Sequence, residues 1–273
     1  LNINNFMESV LEQYTINLNE KAKNDTLDPV FGRKKEITKI TSVLLRRTKN
    51  NPLLLGLPGV GKTAIAEELA RSIVNETCHN DLLDKQILLL DTVGLIAGTS
   101  ERGKMEERVT SLMADLQERD DIILMIDEIH MLVSDTSGNS KNSKSSLNIA
   151  NMFKPGLARG LFHCIGATTF TEYAKYLCND KAFERRFQPI TIVEPTVTDT
   201  IEILYLLKHK YEEYHGCVIS DDAIVGCVNL ANRFLPYRNF PDKAIDLLDE
   251  SCSKMKIDLK NNKRNNNIIT LYD

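Results

Sequence analysis

No apolar run in this 273-residue chain approaches the roughly 20 consecutive residues of a membrane span, although hydrophobic residues make up 42% of it. The six cysteines, at 78, 164, 178, 217, 227 and 252, form no C-x-x-C pair and no zinc spacing. That excludes the common structural zinc modules and leaves reduced, mostly core thiols in a reducing compartment. The five histidines form no ligand cluster, and there is no internal repeat. A basic excess is also missing, because 34 Lys+Arg stand against 38 Asp+Glu for a net charge of −4. The overall charge therefore supplies no footprint for nucleic acid or an acidic membrane surface, and neither is expected as a partner. There is no initiator Met before Leu1, and the chain ends soon after the polar run from Lys260 to Asn267. Both ends read as cut from a longer polypeptide, so a missing leader says nothing about location. The Asn- and Lys-rich character suits a plastid-like organelle, and the cytoplasm stays open.

The length exceeds what one compact core needs, which predicts a large domain followed by a smaller one. Residues 1–26 are polar and Asn-rich and read as an incoming linker. Over 27–195 apolar strands alternate with amphipathic helices. The strands are Asn51 to Leu55, Ile87 to Leu90, Ile122 to Ile126, His163 to Ala167 and Ile190 to Val193, with helices near 62–74, 104–118 and 147–158. Strict β/α alternation predicts a parallel sheet covered on both faces. Ser134 to Ser146 is Ser/Asn/Lys/Gly-rich and reads as a surface loop. Three helices near 197–215, 221–232 and 241–257 predict a small helical domain over 196–258. Cys217 to Ile219 could add a brief strand there, and 259–273 reads as a polar tail leading downstream.

The strongest chemical signal is Gly56-Leu57-Pro58-Gly59-Val60-Gly61-Lys62-Thr63, which fits the phosphate-binding pattern G-x-x-x-x-G-K-[ST]. It follows a strand and opens a helix, as that chemistry requires. Glycines let successive backbone N–H groups surround phosphate oxygens, and the helix N-terminus adds partial positive charge. Lys62 is expected on the β- and γ-phosphates, and the Thr63 hydroxyl on Mg²⁺. ATP and Mg²⁺ are the expected cofactors.

Ile122 to Ile126 ends in Asp127-Glu128. In a parallel sheet the C-terminal strand ends face the ligand crevice, so Asp127 is expected to hold the Mg²⁺ shell beside the loop. Glu128 then orients and activates the attacking water. The plainer reading, two acids opening a helix, loses because the phosphate loop already demands a metal partner. Thr168-Thr169 ends another strand at the same edge, where a hydroxyl could sense the γ-phosphate. Arg185-Arg186 lies between Phe183 and Phe187. Alone it would read as a solvated pair, but an arginine reaching a neighbour's γ-phosphate neutralises transition-state charge.

Together these segments resemble the first AAA+ nucleotide-binding domain of the Clp family of two-ring protein unfoldases, the ClpB and ClpC branches. The likeness runs from Tyr14 to about Met255. It rests on LDPVFGR (Leu27–Arg33), RRTKNNP (Arg46–Pro52), the phosphate loop, IDEIH (Ile126–His130), KPGLARG (Lys154–Gly160), CIGATT (Cys164–Thr169), FERRFQ (Phe183–Gln188) and PDKAID (Pro241–Asp246). Gln188-Pro189 and Glu194-Pro195-Thr196-Val197 are more similar to ClpC than to ClpB. The resemblance implies a five-stranded αβα sandwich with a helical lid, in a hexameric ring with ATP between subunits. It implies that Val30 and Phe31 lie against adenine and that Thr169, or Thr168, is the polar residue ending the fourth strand. Arg185 and Arg186 match the trans-acting pair, and Lys243 sits where other AAA+ proteins place a second sensor. Polypeptides are the implied substrates. A peptidase ring would dock through a region absent from this chain.

One segment departs from the family. Gly98-Thr99-Ser100-Glu101-Arg102-Gly103 carries Glu101 where a pore-loop tyrosine is expected. A carboxylate prefers water and cations to apolar side chains, so Glu101 and Arg102 raise an alternative: a nucleotide-gated assembly or regulatory ring with weak substrate grip. A DExH-type helicase, prompted by Asp127 to His130, would need a second RecA-like domain. The region after Thr196 offers only helices.

Overall fold

The computed structural model describes residues 9–96, 102–133, 153, 156, 160–178, 181–261 and 266–273. They fall into two compact units. The first comprises Leu1–Leu27, Glu36–Leu55 and Ala66–Thr191; the second comprises Asp28–Lys35, Gly56–Ile65 and Ile192–Asp273.

The first unit is built on a 6-stranded sheet. Its strands are β1 (Thr15–Asn17), β2 (Asn51–Leu55), β3 (Gln86–Leu90), β4 (Ile122–Ile126), β5 (His163–Thr168) and β6 (Phe187–Thr191), in the order β1-β3-β4-β5-β2-β6. From β3 to β6 every neighbouring pair is parallel, which gives the five-stranded sheet that the alternating pattern predicts. Every residue of β2 and β4 is buried, as expected when both faces of a sheet are covered. Helix Arg102–Gln117 contributes Val109, Leu112 and Leu116 to a core shared with Leu88, Leu90, Leu124 and Ile126. Pro52 cannot donate to a ladder, and β2 pairs with β5 only from Leu53 onward. Before it, the Asn51 side chain substitutes, its Oδ1 accepting from the Cys164 amide at 3.1 Å.

Within the expected linker 1–26, the described residues from Ser9 onward are folded against the sheet. Ser9 caps helix Val10–Gln13 in a capping box, and β1 runs antiparallel to β3. Leu11, Tyr14 and Leu18 are buried, so the few apolar residues of this stretch secure it to the sheet edge.

The second unit holds three helices, Val197–His215, Asp221–Phe234 and Asp242–Lys260. Thr196 and Asp199 form a capping box at the start of the first, and Gly216 at φ 67° ends it in the left-handed region. Ser220 caps the second. Their core includes Leu204, Ile224, Val228, Ala244, Leu248 and Cys252. The segment 259–273 is not simply a polar tail, because Ile268–Ile269 forms β8, parallel to β7 (Val218–Ile219), and Ile269 is buried in the same core. The expected loop at 134–146 and most of the expected helix at 147–158 lie outside the described residues, although Phe153 is buried in the first core. Among the described residues no helix is long and apolar enough to cross a membrane.

All six cysteines are free; Cys164, Cys217, Cys227 and Cys252 are buried, and Cys178 is exposed. Burial pushes the Cys227 thiol up to about 11 and the Cys164 thiol higher still, which disfavours the reactive thiolate. An aromatic disulfide reagent at pH 8 is therefore expected to modify Cys178 promptly and the four buried thiols only after denaturant is added. Fast labelling of Cys164 in the folded protein would contradict this packing.

Candidate nucleotide site

The parallel sheet directs the chemistry to one edge. Because β4, β5 and β2 are adjacent and parallel, the residues that follow Ile126, Thr168 and Leu55 all leave the sheet on the same side. Asp127-Glu128, Thr169 and the loop from Gly56 are those residues.

Gly59 and Gly61 of the loop adopt φ values of 75° and 87°, which only glycine adopts without strain. A Cβ at Gly59 would stand 2.7 Å from that of Asp242, so side-chain bulk is excluded there as well. Lys62 begins helix Lys62–Val74, as the sequence predicts, and is buried. Its Nζ donates to the carbonyls of Gly56 at 3.2 Å and Leu57 at 3.1 Å. A buried ammonium over a turn of left-handed glycines, beside a helix N-terminus, is a donor set suited to phosphate oxygens. Arg33, which stands outside the phosphate-loop pattern, braces the loop. Its guanidinium donates to Val60 O at 2.7 Å and Val193 O at 3.0 Å. Its place in the LDPVFGR segment was the available signal. Val30 and Phe31 precede it and are half-buried, while Leu57 and Pro58 are exposed. The Asn239 amide donates to Pro58 O at 3.0 Å.

Lys243 is buried near the start of helix Asp242–Lys260. Its ammonium lies 4.2 Å from the Phe240 ring centroid, 3.4 Å from Leu235 O and 4.0 Å from a Glu194 oxygen. Its charge is thus met by groups of its own unit.

In the sheet unit, the Glu128 amide donates to Asp127 Oδ1 at 3.0 Å, and the Ile129 amide to Ala167 O at 3.0 Å. Glu128 sits at φ 47°, an uncommon conformation for a side-chain-bearing residue. Its Oε2 lies 3.2 Å from His130 Nδ1, and that nitrogen is also 3.1 Å from Thr168 Oγ1. Ligand atoms of Glu128, His130 and Glu172 all fall within 4.8 Å of one another. Glu172 is already engaged, because Thr169 caps helix Phe170–Glu172 and its amide and hydroxyl both bond Glu172 Oε2. The two threonines of the pair are therefore used differently: Thr169 in the cap, Thr168 against His130.

Arg185 and Arg186 lie in the turn between helix Lys181–Glu184 and β6. Phe183 and Phe187 stack at 4.0 Å, and the Arg186 amide donates to Phe183 O at 3.0 Å, which fixes the turn. Arg185 is exposed, while the half-buried Arg186 lies over the backbone of Gly160. Glu101 lies outside the described residues. Arg102 opens helix Arg102–Gln117, and its side chain is not described.

With this geometry in view, two family models match the chain. The model described as the ATPase family associated with various cellular activities (AAA) covers residues 52–190, and an AAA lid domain covers 196–271. The chain is 49% identical over 248 residues to heat shock protein 104 of Schizosaccharomyces pombe, covering 90% of this chain and 27% of that protein. It is 50% identical over 236 residues to the ATP-dependent Clp protease ATP-binding subunit ClpC of Staphylococcus aureus, covering 86% of this chain and 28% of that protein. Among solved structures it is similar to the closed-state reconstruction of Hsp104 with ATPγS and FITC casein. The TM-score is 0.83 at 42% identity, over 96% of this chain and 45% of that one. The Saccharomyces cerevisiae Hsp104–ADP complex matches with a TM-score of 0.82 at 43% identity, over 92% and 42% of the two chains. These relatives do not favour the reading of a ring with weak grip. The chain, which spans little more than a quarter of the length of its curated relatives, belongs to the AAA ATPase family and carries both the ATPase domain and its lid.

Proposed function

We propose that this chain is the ATP-hydrolysing first motor domain of a Clp-type chaperone that works as a hexamer and remodels or threads polypeptide substrates. One observation carries the reading. The phosphate loop and the Asp127-Glu128 pair follow strands that flank β5 on either side and leave the sheet at the same edge.

Each group has a distinct task in this reading. Lys62 and the backbone amides after Gly56 hold the β- and γ-phosphates. Thr63 and Asp127 are the residues that would hold Mg²⁺, which would supply neutralisation of the β- and γ-phosphate charge. Glu128 orients the attacking water and takes up its proton. Val30 and Phe31, half-buried next to Arg33, offer an apolar surface to adenine. Thr169 can respond to the γ-phosphate only by exchanging its bond to Glu172. The exposed Arg185, with Arg186 beside it, reaches the nucleotide of a neighbouring subunit. Lys243, held by Glu194 and Phe240, would contribute to sensing by moving with the lid. Glu101 and Arg102 are the residues this reading assigns to contact with polypeptide substrate, and a peptidase ring would engage sequence outside this chain.

The roles separate by measurement. Lys62→Ala is expected to weaken binding of a fluorescent ATP analogue by about 100-fold, as loss of two charge-assisted phosphate bonds implies. Glu128→Gln should retain binding and lose about 10²-fold or more in steady-state turnover. Retained turnover in Glu128→Gln would overturn the reading.

Arg185→Ala should leave nucleotide affinity unchanged. It should cost about 10³-fold in turnover, and only in the assembled full-length protein. Comparing turnover below and above the assembly concentration tests this. An equal loss in the monomer would exclude action between subunits.

A further inference from the structure

Two oxygens converge on one nitrogen beside the catalytic pair. His130 Nδ1 lies 3.2 Å from Glu128 Oε2 and 3.1 Å from Thr168 Oγ1. The imidazole is held in place from its flat side. Its ring is nearly parallel to that of Tyr176, 12° between planes and 5.9 Å between centroids. Tyr176 belongs to the wider turn Tyr173–Leu177, in which the Cys178 amide reaches back five residues to Tyr173 O at 2.9 Å. Such turns are frequent at functional sites. Thr168 is fully buried, whereas the Glu128 side chain is 43% exposed. The chain therefore runs from a buried hydroxyl at the end of β5, through an oriented ring, to a carboxylate reaching solvent.

The chemistry of the three groups limits the direction of the bonds to two arrangements. A carboxylate only accepts, so Glu128 can be bonded by Nδ1 only when that nitrogen carries a proton. The Thr168 hydroxyl can accept from that same N–H. It can also rotate and donate to an unprotonated Nδ1, which would turn a lone pair toward Glu128 and release it. Glu128 meanwhile occupies φ 47°, where a side-chain-bearing residue stays only if its surroundings hold it. Its backbone is held on both sides, its own amide on Asp127 and the next on Ala167 O. His130 is the side-chain counterpart of that hold.

We propose that His130 is a positioning residue for hydrolysis: its Nδ1–H aims the Glu128 carboxylate, and the Thr168 hydroxyl sets whether that proton is offered. The inference rests on the ATPase reading above. It adds a connection from the end of β5 to the general base that runs through a side chain rather than through the nucleotide.

The test uses the full-length assembled protein, with turnover and affinity for a fluorescent ATP analogue measured side by side. His130→Phe keeps a ring against Tyr176 and removes Nδ1. It is expected to lower kcat by about 10- to 100-fold with affinity within about twofold, as misplacement of a base implies. His130→Asn restores a donor near the Nδ1 position and should recover most of that loss. Thr168→Val, which keeps shape, should lower kcat in the same direction and non-additively with His130→Phe. In a Glu128→Gln background, His130→Phe should add nothing. Unchanged kcat in His130→Phe, equal losses in the Phe and Asn variants, or the full loss recurring in Glu128→Gln would each overturn the proposal while leaving the ATPase reading intact. If Glu128→Gln alone leaves turnover untouched, both fall together.

Discussion

The hydrogen bond from the Ile129 amide to the Ala167 carbonyl organises the edge of the sheet from which Asp127 and Glu128 emerge. It continues the contact between β4 and β5 beyond the last ladder pair, Ile126 with Gly166, while the chain is already turning away. For Ile129 to reach that position, its side chain must lie against the middle of β5, and Gly166 is what it meets there. A Cβ on Gly166 would stand 2.9 Å from the Ile129 Cδ1 on one hand and the Leu53 Cδ1 on the other. Any larger residue would push β5 away from β2, from β4, or from the turn. Asp127 and Glu128 are thus presented by a glycine on a neighbouring strand that touches neither of them. The left-handed Glu128 backbone follows from the same constraint, because the chain must leave β4 and return its next amide to β5 within two residues.

Much of this was legible from residue order. Helix Lys62–Val74 and strand Ile122–Ile126 begin and end where their patterns say. Fully apolar runs bounded by Asp and Gly leave little choice of register in a covered sheet. Among the short elements, β7 was legible as the brief strand near Cys217 to Ile219, while β1 and β8 were not. β1 has three residues and β8 two, and neither has a period to read. Ile268 and Ile269 become a strand only because Val218 and Ile219 offer an edge about fifty positions earlier in the chain. Leu11, Tyr14 and Leu18 lie far enough apart in a polar, Asn-rich segment to pass for a linker. Their burial is a tertiary fact. No local propensity announces it.

The site divides along the same line. Motif positions such as Lys62, Asp127 and Glu128 can be named from spacing, because the chemistry fixes which residue types stand there. Hydrogen-bond partners cannot. Lys62 bonds the loop's own carbonyls, and Lys243 spends its charge within the lid, and no pattern in the sequence distinguishes these from exposed cations. Arg185 and Arg186 look equivalent in sequence, yet the stacked phenylalanines leave one exposed and set the other over Gly160.

Thr168 and Thr169 show why the distinction matters for mechanism. Successive residues leaving a strand point to opposite sides, so two identical side chains enter different environments. Thr168 is buried with its hydroxyl on the imidazole, and Thr169 closes the cap of the next short helix. A capping bond of this kind is worth about 1 kcal/mol, less than the roughly 1.5–3 kcal/mol of a hydrogen bond to a charged partner. The Thr169 hydroxyl already has a charged partner in Glu172, so an incoming anion gains little by replacing it. Thr168 differs, since its partner is an imidazole nitrogen that a hydroxyl can meet either as donor or as acceptor. The proposed coupling therefore runs from the end of β5 through Thr168 into His130, and not through Thr169 into its cap. On the proposal for His130, the buried Thr168 is the responsive hydroxyl of this edge, beside the capping Thr169.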